Sequence, residues 1–400
     1  MAEAPWLTIV GIGEDGLEGL APASRAALEA AEIVMGPARH LALARGLAAE
    51  TRVWPAPFAD GLPILLGLRG RRTAVLASGD PFWHGAGAVI ARALARSEWR
   101  ALPGPSAFSL AASRLGWPLE RTRRLGLHAA PLTRLRPHLA PNVRIVALLR
   151  DGAAVAELAG YLCAQGFGAS RLFVMEALGG PRERVSEARA DALPAGDFAH
   201  PLCVAMELAG DGPAVPRASG IDDAFFEHDG QITKRPMRAL ALSALAPRPG
   251  ELLWDIGAGA GSIAIEWLLS DAATQAIGVE ARPDRAARIR ANAARLGVDR
   301  LRVVEGEAPA ALDGLPPPQA VFIGGGLSEA LIADLERRLA PGARLVANAV
   351  TLESEALLAA CQARRGGELL RVELAEASPL GGRRGWKAAY PVTQWRAVLR

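Results

Sequence analysis

Residues 252–267, LLWDIGAGAGSIAIEW, constrain this chain more than any other stretch. A short β-prone run, 252–256, meets Gly257, Gly259 and Gly261 and then an apolar helical run. Glycines at those points let the backbone turn tightly and approach a ligand, and the helix that follows presents unpaired N–H groups. The surrounding sequence repeats the strand–helix pattern. Helices are expected over 236–245, after Gly261, over 283–296 and over 328–339, with strands over 252–256, 275–279, 301–304, 320–323 and 344–348. Strands separated by single helices imply right-handed crossovers and a doubly wound sheet that binds ligands outside the strand carboxyl ends.

That pattern occupies only half of the 400 residues, and the length suits two domains better than one core. The first half has its own α/β alternation, with strands expected over 7–12, 73–77, 144–149, 171–175 and 202–207 between Ala/Leu-rich helical stretches. Residues 210–230 lose periodicity and concentrate Gly, Pro, Asp and Ser, the composition of a connection. The boundary is placed near Val215, giving domains 1–214 and 215–400. The two series do not align motif for motif, so two folds are fused rather than one duplicated.

Several functional classes are disfavoured. No apolar run reaches the roughly 18 residues of a membrane span, and the start MAEAPWLTIVG lacks a basic n-region and a cleavable h-region, so a cytoplasmic protein with no membrane partner is expected. Cys163, Cys203 and Cys361 are scattered, and the six histidines show no metal-binding spacing, so no metal is expected. Net charge is +3 and Lys occurs only at Lys234 and Lys387; with no basic tail or stripe, nucleic acid is not an expected partner, although the arginines could bind a small polyanion. A homo-oligomer is expected.

In the second half, Asp255 at the strand end reads as a surface-reaching carboxylate that can hold a cationic or amino group, and Glu280 ends the next strand, where it can accept from both hydroxyls of a ribose. A nicotinamide dehydrogenase is the alternative, but the spacing is Gly-x-Gly-x-Gly rather than Gly-x-Gly-x-x-Gly. A bland alternative is a turn that merely lets helix and sheet pack. With Asp255 and Glu280 in register, the segment resembles the S-adenosylmethionine site of Rossmann-type methyltransferases. The resemblance puts an adenine near Glu307 and Ala308, after the third strand, and adds Gly324 after the fourth.

In the first half, LTIVGIGEDG carries Gly11 and Gly13 after a strand, VLASGDPFWHGAG places Gly79, Asp80 and Pro81 at a strand end, and LPGPSAFSL places Ser106 before a helix. Asp-Pro alone is an ordinary turn. Flanked by Gly79, Phe82, Trp83 and His84, it reads as a pocket wall, with His84 structural. The three segments, together with 144–166 and 174–185, resemble the tetrapyrrole methylase superfamily. That implies a two-lobed fold with S-adenosylmethionine folded between the lobes and held largely by backbone groups. Glu14 departs from the pattern, since many members carry Pro there.

The expected fold class is therefore α/β, an N-terminal two-lobed tetrapyrrole methylase fold fused to a C-terminal Rossmann-like doubly wound sheet. With GQITKRPMRA and SPLGGRRGWKAAYPV flanking the second core, the whole chain resembles the fused, decarboxylating methyltransferases of cobalamin biosynthesis. The resemblance implies a small-molecule tetrapyrrole substrate and one S-adenosylmethionine per domain. It also implies methylation of carbons 5 and 15 of a precorrin-6 macrocycle and loss of carbon dioxide from the ring C acetate, giving precorrin-8. Carbon 15 and the decarboxylation would fall to the second half. Such a polycarboxylate calls for cationic clamps, and Thr233, Lys234, Arg235, Arg238, Arg383, Arg384 and Lys387 are the candidates, each equally readable as solvated surface. A methyltransferase acting on RNA or on another tetrapyrrole is the alternative. A non-catalytic fusion would be expected to lack one set of cofactor residues.

Overall fold

The computed structural model describes residues 5–399, so the part of the leader reading that falls on residues 1–4 lies outside it. The chain divides into two compact units, one of residues 1–132 and 138–213, the other of 133–137 and 214–400.

The first lobe of the first unit comprises β1 (Leu7–Ile12), α1 (Pro22–Glu29), β2 (Ile33–Gly36), α2 (Ala38–Leu43), β3 (Glu50–Val53), α3 (Gly61–Leu66), β4 (Thr73–Ser78), α4 (Gly87–Arg92) and β5 (Trp99–Leu102). Its sheet runs β3-β2-β4-β1-β5 with every neighbouring pair parallel. β1 is buried at every position and β4 at all but its last. Strands covered on both faces read as continuous apolar runs, which is why these two are legible in the sequence. β3 and β5 are four residues each with no fully buried position, and they give no such signal.

The second lobe begins with α5 (Ala107–Leu115), capped by Ser106 and ended by Gly116 at φ +64°. It continues with β6 (Thr122–Gly126), β7 (Arg144–Leu148), α6 (Ala153–Ala164), β8 (Arg171–Glu176), β9 (Arg184–Arg189) and β10 (Leu202–Glu207). Here the expected α/β alternation gives way to a mixed sheet in the order β6-β7-β10-β8-β9, in which only β6 and β7 are parallel. β9 follows β8 directly and exposes most of its residues, so no apolar run marks it.

The second unit contains α7 (Arg235–Leu245), β11 (Leu252–Ile256), α8 (Ser262–Ser270), β12 (Gln275–Glu280), α9 (Pro283–Arg295), β13 (Arg302–Glu305), β14 (Ala320–Ile323), α10 (Glu329–Arg338), β15 (Arg344–Ala349), α11 (Leu352–Arg365), β16 (Glu368–Val372), β17 (Ala375–Leu380), β18 (Arg383–Ala388) and β19 (Val392–Val398). The sheet order is β13-β12-β11-β14-β15-β19-β16. Its five strands from β11 to β15 are parallel, as the alternation predicts, and β19 and β16 add antiparallel pairs. β17 and β18 form a separate two-stranded sheet. The apolar run after Gly261 is explained by position, since α8 is buried from Ser262 through Leu268 and packs with α7, β11 and β12. Trp254, Trp267 and Trp395 are fully enclosed in the core on the two faces.

Among the described residues, no helix is long and apolar enough to cross a membrane. Nor do any three or more His, Cys, Asp or Glu side chains gather where they could hold a metal ion.

Candidate functional sites

In the first unit the three glycine-bearing loops converge. Gly79 N–H donates to the Ile12 carbonyl at 3.0 Å, and Gly104 N–H donates to the Gly79 carbonyl at 2.9 Å. A Cβ on Gly11 would lie 1.8 Å from the Gly79 carbonyl oxygen, so Gly11 is required by loop-on-loop packing. Beside this junction, between the two lobes, is a cavity of about 400 Å³ lined by Gly13, Gly79, Asp80 and Ser106 together with apolar groups of both sheets. Gly11 and Pro81 are not among its walls. Ser106 caps α5, its Oγ accepting from Ser109 N–H at 3.2 Å. The Asp80 carboxylate accepts from Phe82 N–H at 2.9 Å, so Asp80 both shapes a turn and faces the cavity.

The same cavity takes in Glu14 and His84 from the segments already singled out, and it gathers groups that no local pattern announces: Arg39, His40, His128 and His200. The Glu14 carboxylate is buried and paired with Arg39 through one oxygen and with Arg182, at 3.1 Å, through the other. Arg39 also reaches Ser78 Oγ at 3.1 Å and His40 Nε2 at 2.7 Å. Burial, with Arg39 alongside, pushes His40 down to about 4, so the ring is neutral at physiological pH. His200 is lowered by the same two causes. His84 takes a left-handed backbone at φ +56°, uncommon outside glycine, and its ring centroid lies 6.1 Å from that of Phe108. Cys203 also faces the cavity, but burial raises its thiol to about 12, which leaves no thiolate.

In the second unit the carboxyl ends of β12, β11 and β14 stand side by side. Gly257, Gly259 and Gly261 have φ of +68°, +60° and +76°, which only glycine adopts without strain. A Cβ at Gly257 would meet Gly325 N at 2.6 Å, and one at Gly261 would meet Ile289 at 2.7 Å. At Gly259 the nearest atom would be the Gln231 carbonyl oxygen at 3.2 Å, so the segment containing Thr233 and Lys234 passes close to the glycine loop. The Glu280 carboxylate accepts from Gly259 N–H at 2.8 Å and from Arg282 N–H at 3.1 Å, which braces the loop. Gly324 N–H donates to the Ile256 carbonyl at 2.9 Å, and after β13 Glu307 is exposed while Ala308 is half-buried.

Two expectations are corrected. Asp255 does not reach the surface. It is 1% exposed, lies between β12 and β14, and accepts from Ala264 N–H inside α8 at 3.0 Å. Burial, with Glu280 nearby, pushes its carboxyl up to about 7. Arg238 is not a clamp either. It is fully buried, donating to Glu266 at 2.5 Å, Asp223 at 3.0 Å, the Ile221 carbonyl at 2.5 Å and the Thr233 carbonyl. With four of its five N–H donors bound to protein and none of its side chain exposed, this guanidinium cannot reach a substrate.

Lys234 and Arg235 are exposed, with Asp223 and Asp222 at 3.7 and 3.9 Å. Arg383, Arg384 and Lys387 are exposed on β18. Among the described residues, no hydrogen bond or ion pair ties these three to the glycine loop.

Residues 6–194 match the family model described as Tetrapyrrole (Corrin/Porphyrin) Methylases, and residues 224–399 match that of the Precorrin methyltransferase domain. The two halves of the chain thus belong to two unlike methyltransferase classes. A precorrin-6Y C(5,15)-methyltransferase [decarboxylating] from Sinorhizobium sp is 53% identical over 397 residues, covering 98% of this chain and 96% of the relative. The protein of that name from Mycobacterium tuberculosis is 40% identical over 403 residues, covering 98% of this chain and all of the relative. The chain belongs to the family of decarboxylating precorrin-6Y C(5,15)-methyltransferases. A cobalt-precorrin-6B C(15)-methyltransferase (decarboxylating) from Salmonella typhimurium is 33% identical over 166 residues, covering 40% of this chain and 85% of its own length.

Proposed function

We propose that the first unit methylates carbon 5 of a precorrin-6 macrocycle, and that the second methylates carbon 15 and removes carbon dioxide from the ring C acetate, yielding precorrin-8. The observation that carries this reading is the full-length match at 53% identity to a protein named for both methylations and the decarboxylation. The partition is supported by the Salmonella relative, named for carbon-15 methylation and decarboxylation together, which covers 40% of this chain.

One S-adenosylmethionine site per unit fits the residues present. The first cavity, about 400 Å³, is of a size that takes a small ligand, and Gly13, Gly79, Asp80 and Ser106 would hold the cofactor there. In the second unit Gly259, Glu280, Ala308 and Gly324 would hold it, while Gly257, Gly261 and Asp255 set the shape of the loop. The bound cofactor supplies an electrophilic methyl group on a sulfonium. The chain's part is to align an enamine-like ring carbon with that methyl and to exclude water, so it needs few acid–base groups. Lys234, Arg235, Arg383, Arg384 and Lys387 keep exposed charges available for the substrate carboxylates.

A cytoplasmic homo-oligomer belongs to the same reading, and the exposure of Leu380, Trp386 and Tyr390 supports self-association. The test is to incubate the purified chain with precorrin-6B and labelled S-adenosylmethionine, counting methyl groups and released carbon dioxide. Two methyl groups and one carbon dioxide are expected. For the partition, the separated second unit should methylate once and release carbon dioxide, and the first should only methylate. Decarboxylated product from the first unit alone overturns it.

A further inference from the structure

A bridging ring carbon that exchanges hydrogen for methyl must shed a proton, and the carbon-5 reaction assigned to the first unit therefore needs a base. The first cavity contains one buried carboxylate among its walls. Glu14 is 9% exposed, held on the loop after β1, and faces the cavity between apolar surfaces of both lobes. Gly180 of the second lobe packs directly on it, since a Cβ there would lie 2.5 Å from Glu14 Cβ. Each carboxylate oxygen accepts from one guanidinium, Arg39 or Arg182, which leaves a further lone pair on each. Two arginines against one carboxylate give the triad a formal net positive charge, so a polyanionic substrate is not repelled. The other candidates are less well placed. Asp80 is tied into its turn by Phe82 N–H, and His40 Nε2 is occupied by Ser78 and Arg39.

We propose that Glu14 is the proton acceptor of the carbon-5 methylation. This rests on assigning that methylation to the first unit. The macrocycle carbon forms its bond to the methyl with a π electron pair, and the S–CH3 bond breaks with its pair left on sulfur. The carbon then bears both hydrogen and methyl and the ring system is cationic. The C–H bond breaks, its pair restores the conjugation, and the proton passes to a Glu14 oxygen, giving a neutral carboxylic acid. The carboxylate also stabilises the transient ring cation before the proton leaves, an electrostatic effect that a neutral imidazole at His200 does not supply. Arg182, whose side chain is 62% exposed, marks the side from which solvent reclaims the proton.

The test uses the full chain with precorrin-6B, unlabelled and deuterated at carbon 5, and S-adenosylhomocysteine as the binding probe in calorimetry. Glu14→Gln should bind the probe with unchanged stoichiometry while carbon-5 methylation falls about 10²- to 10⁴-fold, the usual weight of a general base. Carbon-15 methylation and carbon dioxide release should continue. A deuterium isotope effect on kcat, absent in the parent, should appear in Glu14→Gln, and Glu14→Asp should recover part of the rate. Parent-like carbon-5 methylation in Glu14→Gln overturns the proposal. So does a slowed variant with no isotope effect, because Glu14 would then only hold Arg39, and so does emergence of the isotope effect in His200→Gln instead. Ala107→Trp, which fills the cavity from the first turn of α5, separates the two readings. Intact carbon-5 methylation in that variant removes the reaction from the first unit altogether.

Discussion

Arg238→Ala should unfold the second unit at markedly lower temperature, because the arginine is wholly enclosed by protein. Its guanidinium is 0% exposed, lies 4.8 Å from the centroid of the Phe226 ring and donates to two carboxylates and two carbonyls. Truncation leaves the Glu266 carboxylate, 6% exposed, with only the Gly220 and Ile221 N–H groups at 2.6 and 3.1 Å. Breaking a buried ion pair from one side costs about 3–5 kcal/mol. For a unit of this size each kcal/mol lowers Tm by roughly 2–4 °C, so a drop on the order of 6–20 °C is expected by scanning calorimetry. Arg238→Met with Glu266→Leu should recover much of the loss, since no charge is then stranded. Arg383→Ala on the exposed face of β18 should stay within about 0.5 kcal/mol of the parent. A parent-like Tm in Arg238→Ala, with activity lost, would restore Arg238 as a ligand-binding residue and refute the argument from burial.

The two units should respond to pH in opposite senses. The raised Asp255 carboxyl contributes stability that is complete below its ordinary value of 3.8 and is lost as pH rises through about 7; in Asp255→Asn that loss should disappear from urea midpoints. His40, lowered from 6.5 to about 4, contributes stability that is present above 6.5 and is lost as pH falls through about 4, a loss that His40→Asn should remove. Cleavage near Val215 should release two folded pieces, since each unit has its own core; a second piece without helical circular dichroism counts against that boundary. Reversing Arg383, Arg384 and Lys387 to Glu should raise KM for the macrocycle at least tenfold while leaving S-adenosylhomocysteine affinity unchanged; an unaltered KM would leave these three as solvated charge.

Read alone, the sequence determined what depends on neighbours along the chain. β1, β4 and β11 are covered on both faces, so burial imposes apolar runs that are visible without knowing which strand lies alongside. The glycines at 257, 259 and 261 are equally local, because a positive φ excludes a Cβ whatever surrounds it. Exposed edges carry no such imprint. β3, β9, β17 and β18 owe their existence to backbone pairing and escaped periodicity. Only the tertiary structure distinguished Arg238, sealed beneath Phe226, from Arg383 in solvent, and set Asp255 below the surface that its strand-end position suggested. It also brought positions 14, 39 and 182 into one ion-paired cluster. The physical reason is common to all three: depth and electrostatic partners follow from sheet order and long-range packing, and residues far apart in the chain have no periodic relation through which the sequence could reveal them.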